Sequence, residues 1–513
     1  MRLIYLKRSK ANEFYRLMLK SSGQNGPSLK RQMGLFAVIA TGMSSMVGAS
    51  INVVPIMIHR SVPEIGPYVI QAFLFAAIPA LLAGLAYAIL GSAMPRAGGS
   101  YLYASRGLSP YWGFIASFSQ WFGLSIVIGV IAYISIPFIR DIANNAGWTE
   151  LANLLNQSWV RVILGLSLIW GFVYVNIRGV KSYTRWLIPM VVLIFTLGSI
   201  VIVSGLFYDS NDFIQALAEK QSLSFLPTNE KDFQWPVFLS AAAVLFSSFI
   251  GFDAIAQTGS EAVKASRNIP LAILIAIFGV GLFYVLFTLS VYHIVPWSYV
   301  ASQAQTQDIT APGLLSLVLP KGVDILILAG AAIALINDLP AMLLSVSRLM
   351  FAWAKDAIFP HAITRVHPTY FSPYVALITA GAMASIGVLG SHFAGDFFLG
   401  IDIMVTSMLV NFLLMCLTVL TLPKVNSTLA QEIAVFKHRG VQRFIGITGI
   451  ISISGFLVIH VFKDLNQQDI PWYFHSTYIW LIVMLLGSVL YSVSYLRSRS
   501  MRAEDHFKSL PSE

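Results

Sequence analysis

Charge is what this 513-residue chain lacks. Asp, Glu, Lys and Arg together make up 11% of it, under half the share of an ordinary soluble domain, about 25%. Cysteine is nearly missing as well. Cys416 stands alone inside an apolar run, which excludes an intrachain disulfide and leaves the redox compartment open. No Gly-x-x-x-x-Gly-Lys-Ser/Thr loop occurs, which argues against transport driven directly by ATP on this chain. A paired-histidine metal signature and a nucleophile elbow are missing too, so no enzyme activity, cofactor or metal is expected. His59, His293, His460 and His475 fall at the ends of apolar runs without metal-ligand spacing and read as interface residues. The N-terminus is charged and has no short apolar core, so it does not read as a cleavable signal peptide.

What the chain has instead is apolar length. It is 57% hydrophobic with a mean hydropathy of +0.73, the composition of an integral membrane protein. Runs of about 20 apolar residues are long enough to cross a bilayer as helices, and twelve can be placed. They lie near 33–58, 68–94, 112–138, 160–178, 186–207, 236–258, 270–294, 323–352, 373–391, 397–422, 444–462 and 472–496. The expected fold class is all-α and polytopic, with about twelve membrane helices.

The net charge of +10 is spread in a way that argues against nucleic acid. Basic residues gather in alternate turns: Arg96 and Arg106; Arg178, Lys181 and Arg185; Lys264 and Arg267; Lys355 and Arg365; Lys424, Lys437, Arg439 and Arg443; Arg497, Arg499 and Arg502. The intervening turns are poor in them, and the longest holds Asp209, Asp212, Glu219, Glu230 and Asp232. By the positive-inside rule both termini are cytoplasmic, most simply at the plasma (cell inner) membrane. The organisation expected is a basic tail over 1–32 able to touch anionic lipid head groups, then five spans over 33–207. An outer loop over 208–235, five more spans over 236–422 and an inner loop over 423–443 follow. Two further spans over 444–496 and a tail over 497–513 complete the chain. Residues 296–322 read as an outer loop with one short interfacial helix, and 500–513 as a disordered tail.

Two runs are interrupted. The first places Gly42, Ser44, Ser45, Gly48 and Ser50 where an unbroken helix is expected, with Pro55 soon after. Glycine weakens a helix by about 1 kcal/mol relative to alanine. The second is the Phe246-Ser247-Ser248-Phe249-Ile250-Gly251-Phe252-Asp253 stretch of run six. Loose backbone at membrane depth survives only against protein or a water-filled cavity. Close helix packing through small side chains is the alternative for either stretch alone. Their pairing, five spans apart, favours the midplane site of a secondary transporter.

Three stretches resemble the amino acid–polyamine–organocation permeases. Met46-Val47-Gly48-Ala49-Ser50-Ile51 is similar to that family's Met-Ile-Gly-Ser-Gly-Ile segment in span 1. Met94-Pro95-Arg96-Ala97-Gly98-Gly99-Ser100-Tyr101-Leu102-Tyr103 is similar to its Phe-Pro-Arg-Ala-Gly-Gly-x-Tyr-x-Tyr loop. Phe249-Ile250-Gly251-Phe252-Asp253, with Glu261, Lys264, Arg267, Asn268, Ile269 and Pro270, is similar to its span 6 and following loop. The resemblance implies the five-plus-five inverted repeat of the leucine transporter, with spans 1 and 6 broken and two helices added. It also implies alternating-access transport of an amino acid or related small amine by symport or exchange, coupled to protons or sodium. A membrane sensor or gated channel on the same scaffold is the alternative. This chain departs from the family in lacking the second glycine of the span 1 triplet, in having Ile89 where a glutamate is common, and in having no charged residue from Trp186 to Phe207 in span 5.

On that reading a substrate carboxylate would meet free N–H groups of the half-helix near Gly48, and an ammonium would meet carbonyls near Phe246 to Phe249. The candidate substrate residues are Ser45, Met46, Gly48, Ala49, Ser50, Phe246, Ser247, Phe249, Gly251 and Phe252. Phe249 and Phe252 either close over the ligand or pack in the core. Deep acids are expensive in a membrane. Asp253 reads as a protonatable coupling group or as a cap for freed N–H groups. Asp338, with Asn337 before it and Pro340 after it, reads as a cation site or as a buried aspartate bonded for packing. Asp402 reads as interfacial, and Arg348 as an inner-gate anchor or a snorkelling cation.

Overall fold

The computed structural model describes residues 28–228, 231–307, 309–394, 397–467, 471–498 and 506–511. Most of the basic tail expected over 1–32 lies outside them. Each apolar run is helical because lipid offers backbone N–H and C=O groups no partner, so the segment must satisfy its own. Among the described residues eleven helices are long and apolar enough to cross a membrane. They are Pro63–Ala93, Pro110–Asn145, Ser158–Ile177, Val180–Ser204, Trp235–Gln257, Ala265–Ile294, Val323–Lys355, Tyr374–Phe393, Leu399–Val425, Arg439–Leu465 and Ser476–Arg497, numbered here spans 2 to 12. Span 1 is the broken one: Leu35–Met46, a four-residue turn Ala49–Asn52, and Val54–Ser61.

Hydropathy alone does not say which spans are central. Spans 6 and 12 have similar hydropathies of 1.8 and 2.0, yet 89% of the apolar window is buried inside the protein in one and 17% in the other. The difference lies in side-chain size. Span 6 carries Ser240, Ala241, Ala242 and Ala243, and small residues let helices approach closely in a membrane. Span 12 presents Leu481, Ile482, Leu485, Leu486 and Val489 to the outside, as lipid demands.

Connecting segments are more structured than the sequence implies. A buried helix Gly99–Gly107 follows span 2, entered through Gly98 at φ 102. The acidic loop folds into Ser210–Gln221, whose start is closed by a capping box in which Asp209 and Asp212 each accept from the other's backbone side. Where one interfacial helix is expected near 296–322 there are two, Trp297–Thr306 and Ala311–Leu315. The described part of the C-terminal tail is docked rather than loose. Asn426 donates to the Lys508 carbonyl at 2.9 Å, Arg106 donates to the Ser509 carbonyl at 3.3 Å, and Leu510 packs on the core.

Several polar residues are also deeper than hydropathy suggests. His59, His460 and His475 are buried, whereas His293 is exposed. His460 sits 3.2 Å from the Asp402 carbonyl, and Asp402 itself is buried. Arg348 does not snorkel. It forms a two-pronged pair with Glu261 at 2.6 and 3.1 Å, with both side chains excluded from solvent. Position along a span is legible in a sequence, but rotation about its axis relative to neighbours is not.

Candidate functional site

The two interrupted helices lie against each other. Span 1 leaves the helix at Val47 (φ −94, ψ 86). Span 6 tightens to a 3-10 turn at Phe246–Phe249, extends at Ile250 and turns through Gly251 at φ 135. A side chain at Gly251 would collide with the Ser45 carbonyl oxygen, so glycine serves both the left-handed backbone and the close approach. Ser248 donates to the Ser50 carbonyl at 3.1 Å, joining one break to the other. The freed Met46 carbonyl accepts a short hydrogen bond from the Tyr284 hydroxyl of span 7. Span 8 supports span 1 from the other side, where Ser44 donates to the Asn337 carbonyl at 2.7 Å.

Beside the breaks lies a cavity bordered by spans 1, 3, 6, 8 and 10. Its polar lining is Ser45, Ser50, Ser247 and Asp338, and its walls include Val127, Ile131, Met342 and Met404. About 30 Å³ is open to the centres of water molecules, room for about two or three waters. A larger occupant needs the helices to part.

Of the residues singled out from sequence, Ser45, Ser50, Ser247 and Asp338 meet at this cavity. Gly48 is adjacent, for a side chain there would overlap the Asp338 carboxylate. The backbone of Ala49 begins the short Ala49–Asn52 turn. Met46, Phe246, Phe249, Gly251 and Phe252 lie behind the lining. Phe249 packs on Phe73 and Tyr284 with ring centroids at 5.1 and 5.9 Å. Phe252 stacks on Phe412 at 5.0 Å, and Phe246 meets Phe412 and Phe456 edge-on.

The acids differ in their surroundings. Asp253 is enclosed by a network: the Gly251 N–H donates to Oδ1 at 3.1 Å, and Gln120 of span 3 donates to Oδ2. Ser100, on the buried helix after span 2, donates in turn to Gln120. Among the described residues the Asp338 Oδ1 atom has no hydrogen-bond partner, and neither do the side-chain amide atoms of Asn337 nor the Ser247 hydroxyl. Gln120 and Ser100 were not singled out from sequence. A lone glutamine in an apolar run was the available signal.

Both ends of the bundle are tied. At one end Glu261, besides pairing with Arg348, accepts the Gln32 and Met33 N–H groups on its carbonyl at 2.8 and 2.9 Å. Nearby Asp356 takes a hydrogen bond from Tyr101 at 2.6 Å and pairs with Arg106, with His506 at 3.4 Å. Burial by itself would raise this carboxyl, which lies just beyond span 8. His506, Arg106 and Tyr101 outweigh it and hold it down to about 2. At the other end Arg60 donates to the Ala304 carbonyl at 2.7 Å, and Gln305 donates to the His59 carbonyl at 2.6 Å.

The model of the family described as amino acid permease matches residues 33–487. This chain belongs to the amino acid permease family. It is accordingly a membrane permease and not an enzyme. Similar chains include the branched-chain amino acid permease BcaP of Bacillus subtilis (strain 168), 25% identical over 393 residues, covering 73% of this permease and 77% of the relative. The low-affinity putrescine importer PlaP of Escherichia coli (strain K12) is 25% identical over 349 residues, covering 67% and 70%. Cationic amino acid transporter 4 of Homo sapiens is 26% identical over 377 residues, covering 70% and 55%.

Proposed function

We propose that this permease is a secondary carrier that moves an amino acid or a related small amine by alternating access, as an ion-coupled symporter or an exchanger. The observation that carries this reading is the contact between the breaks of spans 1 and 6 beside a cavity closed in by spans 3, 8 and 10. Broken helices give a ligand polar backbone at mid-membrane without a water-filled pore. A channel would need a continuous polar lining, whereas here most of the wall is apolar. The relatives named for branched-chain amino acids, putrescine and cationic amino acids support the substrate class.

In this scheme Gly48 keeps backbone accessible to the ligand and Gly251 lets the two breaks approach each other, with Ser45, Ser50 and Ser247 at the lining. Asp253 is the coupling group, because its network joins the span 6 break to span 3 through Gln120. Asp338, with Asn337, is a cation site, whose occupant is either an inorganic ion or the ammonium group of the substrate. The Arg348–Glu261 pair holds the start of span 1 to span 8 and separates when that end opens. The basic turns support cytoplasmic termini at a plasma membrane. The test is exchange in proteoliposomes loaded with unlabelled leucine or 1,4-diaminobutane. Saturable counterflow of the labelled compound supports the carrier, a flux linear in concentration indicates a pore, and no flux indicates a sensor.

A further inference from the structure

We propose that Asp338 is the specificity-determining residue of the cavity. Its carboxylate receives the ammonium group of the substrate, so the site favours primary amines that carry no carboxylate beside the amine. This deepens the carrier reading and rests on it. Asp338 is buried, and among the described residues nothing donates a hydrogen bond to its carboxylate or pairs with it. An unpaired acid in an apolar cavity is expensive unless a ligand supplies the missing cation. Among the described residues none is supplied, since no Arg, Lys or His of theirs lines this cavity.

Position decides against a zwitterion. The Asp338 carboxylate presses on Gly48, where the span 1 helix resumes. A substrate carboxylate seeking the N–H groups there would meet a second negative charge. The helical segment that follows, Ala49–Asn52, has only four residues, so it supplies little dipole to offset the repulsion. An ammonium gains from the same geometry: Asp338 attracts it, and the unpartnered Ser247 hydroxyl across the cavity accepts one of its N–H groups. The rest of the wall suits hydrocarbon, as eight of the twelve lining residues are apolar. That composition disfavours a bare inorganic cation, which needs a shell of oxygens.

The test compares three probes sharing one 3-methylbutyl chain on the purified full-length permease: 3-methylbutylamine, leucine and 4-methylpentanoate. Each is titrated for protection against heat and for competition with labelled 3-methylbutylamine, in sodium and in potassium. The expected result is saturable binding of the amine at least tenfold tighter than of leucine, no binding of the acid, and no dependence on sodium. Asp338→Asn should weaken amine binding roughly 10- to 150-fold, the range for losing one hydrogen bond to a charged group. The wild-type ranking decides the matter even where that variant does not yield folded protein. Leucine binding as tightly as the amine, or none of the three binding, overturns the proposal. So does sodium alone protecting the wild type but not Asp338→Asn. Failure of the carrier reading shows separately, as amine that binds tightly but gives no counterflow.

Discussion

The buried Arg348–Glu261 pair makes a quantitative demand. Both side chains are at most 1% exposed, and the guanidinium contacts both carboxylate oxygens at 2.6 and 3.1 Å. Its Nη1 also donates to Ser347 at 2.9 Å. Removing one partner leaves the other charge buried and uncompensated, which costs about 3–5 kcal/mol. Arg348→Met and Glu261→Gln should each lose about that much. The double variant leaves no charge and only a buried amide, for which the penalty is about 1–3 kcal/mol. It should therefore be more stable than the sum of the singles by several kcal/mol. Reversible unfolding in mixed detergent–SDS micelles measures all four corners of the cycle. The Glu261 carbonyl keeps its bonds from Gln32 and Met33 throughout, so the backbone anchor is constant. Additive losses, or single variants within about 0.5 kcal/mol of wild type, would refute the view that this pair is a coupled clamp between span 8 and the approach to span 1.

Gly48→Leu should abolish substrate binding while the protein still inserts, since any side chain there overlaps the Asp338 carboxylate; unchanged affinity removes this stretch from the site. Single cysteines test orientation in a Cys416→Ala background. One placed between 208 and 228 should react with an impermeant thiol reagent from outside and one at Lys437 should not, and the reverse pattern overturns the topology. Asp253→Asn should retain counterflow but lose pH-dependent accumulation between pH 5.5 and 7.5; wild-type accumulation would leave Asp253 the structural role of holding the Gly251 N–H and the Gln120 amide. Asp356, held at about 2 against an ordinary value near 3.9, is stabilising above about pH 4. That contribution, about 2–3 kcal/mol, fades as pH falls toward 2. The Tm gap between wild type and Asp356→Asn should narrow over that range, and a constant gap would count against the assignment.

How far the site could be read in advance follows from what a linear pattern encodes. Glycine and serine clusters in apolar runs mark where a helix cannot continue, so both breaks were legible, to within about a turn. The twelve runs were legible for the same reason, as length and hydropathy set a span. Rotation was not. Asp338 faces Gly48 because of how span 8 turns against span 1, and Phe249 turns away toward Phe73 for the same kind of reason. His59 and His460 looked interfacial because hydropathy cannot separate a lipid-facing residue from a buried one. The docking of the tail is not legible in the sequence because its partners, Arg106, Asp356 and Asn426, are far away along the chain.

The two acids near the breaks are divided by their surroundings rather than by their chemistry. Asp253 has its bonds already made: one oxygen holds the Gly251 N–H at 3.1 Å, the other the Gln120 amide. A substrate arriving beside Ser247 need not touch it. Any influence must pass through the backbone of the span 6 break, which both the cavity and Asp253 share. That is the arrangement coupling requires, because a group that changes state with helix position must be tied to the helix and shielded from the cargo. Asp338 is the opposite case. Its Oδ1 is unmatched, it lines the cavity, and the glycine it presses on leaves no room for a competing side chain. A group left unsatisfied in a buried site does its work only when something binds. Span 5 offers neither acid nor base between Trp186 and Phe207, so in the proposed scheme both tasks fall to the carboxylates of Asp253 and Asp338.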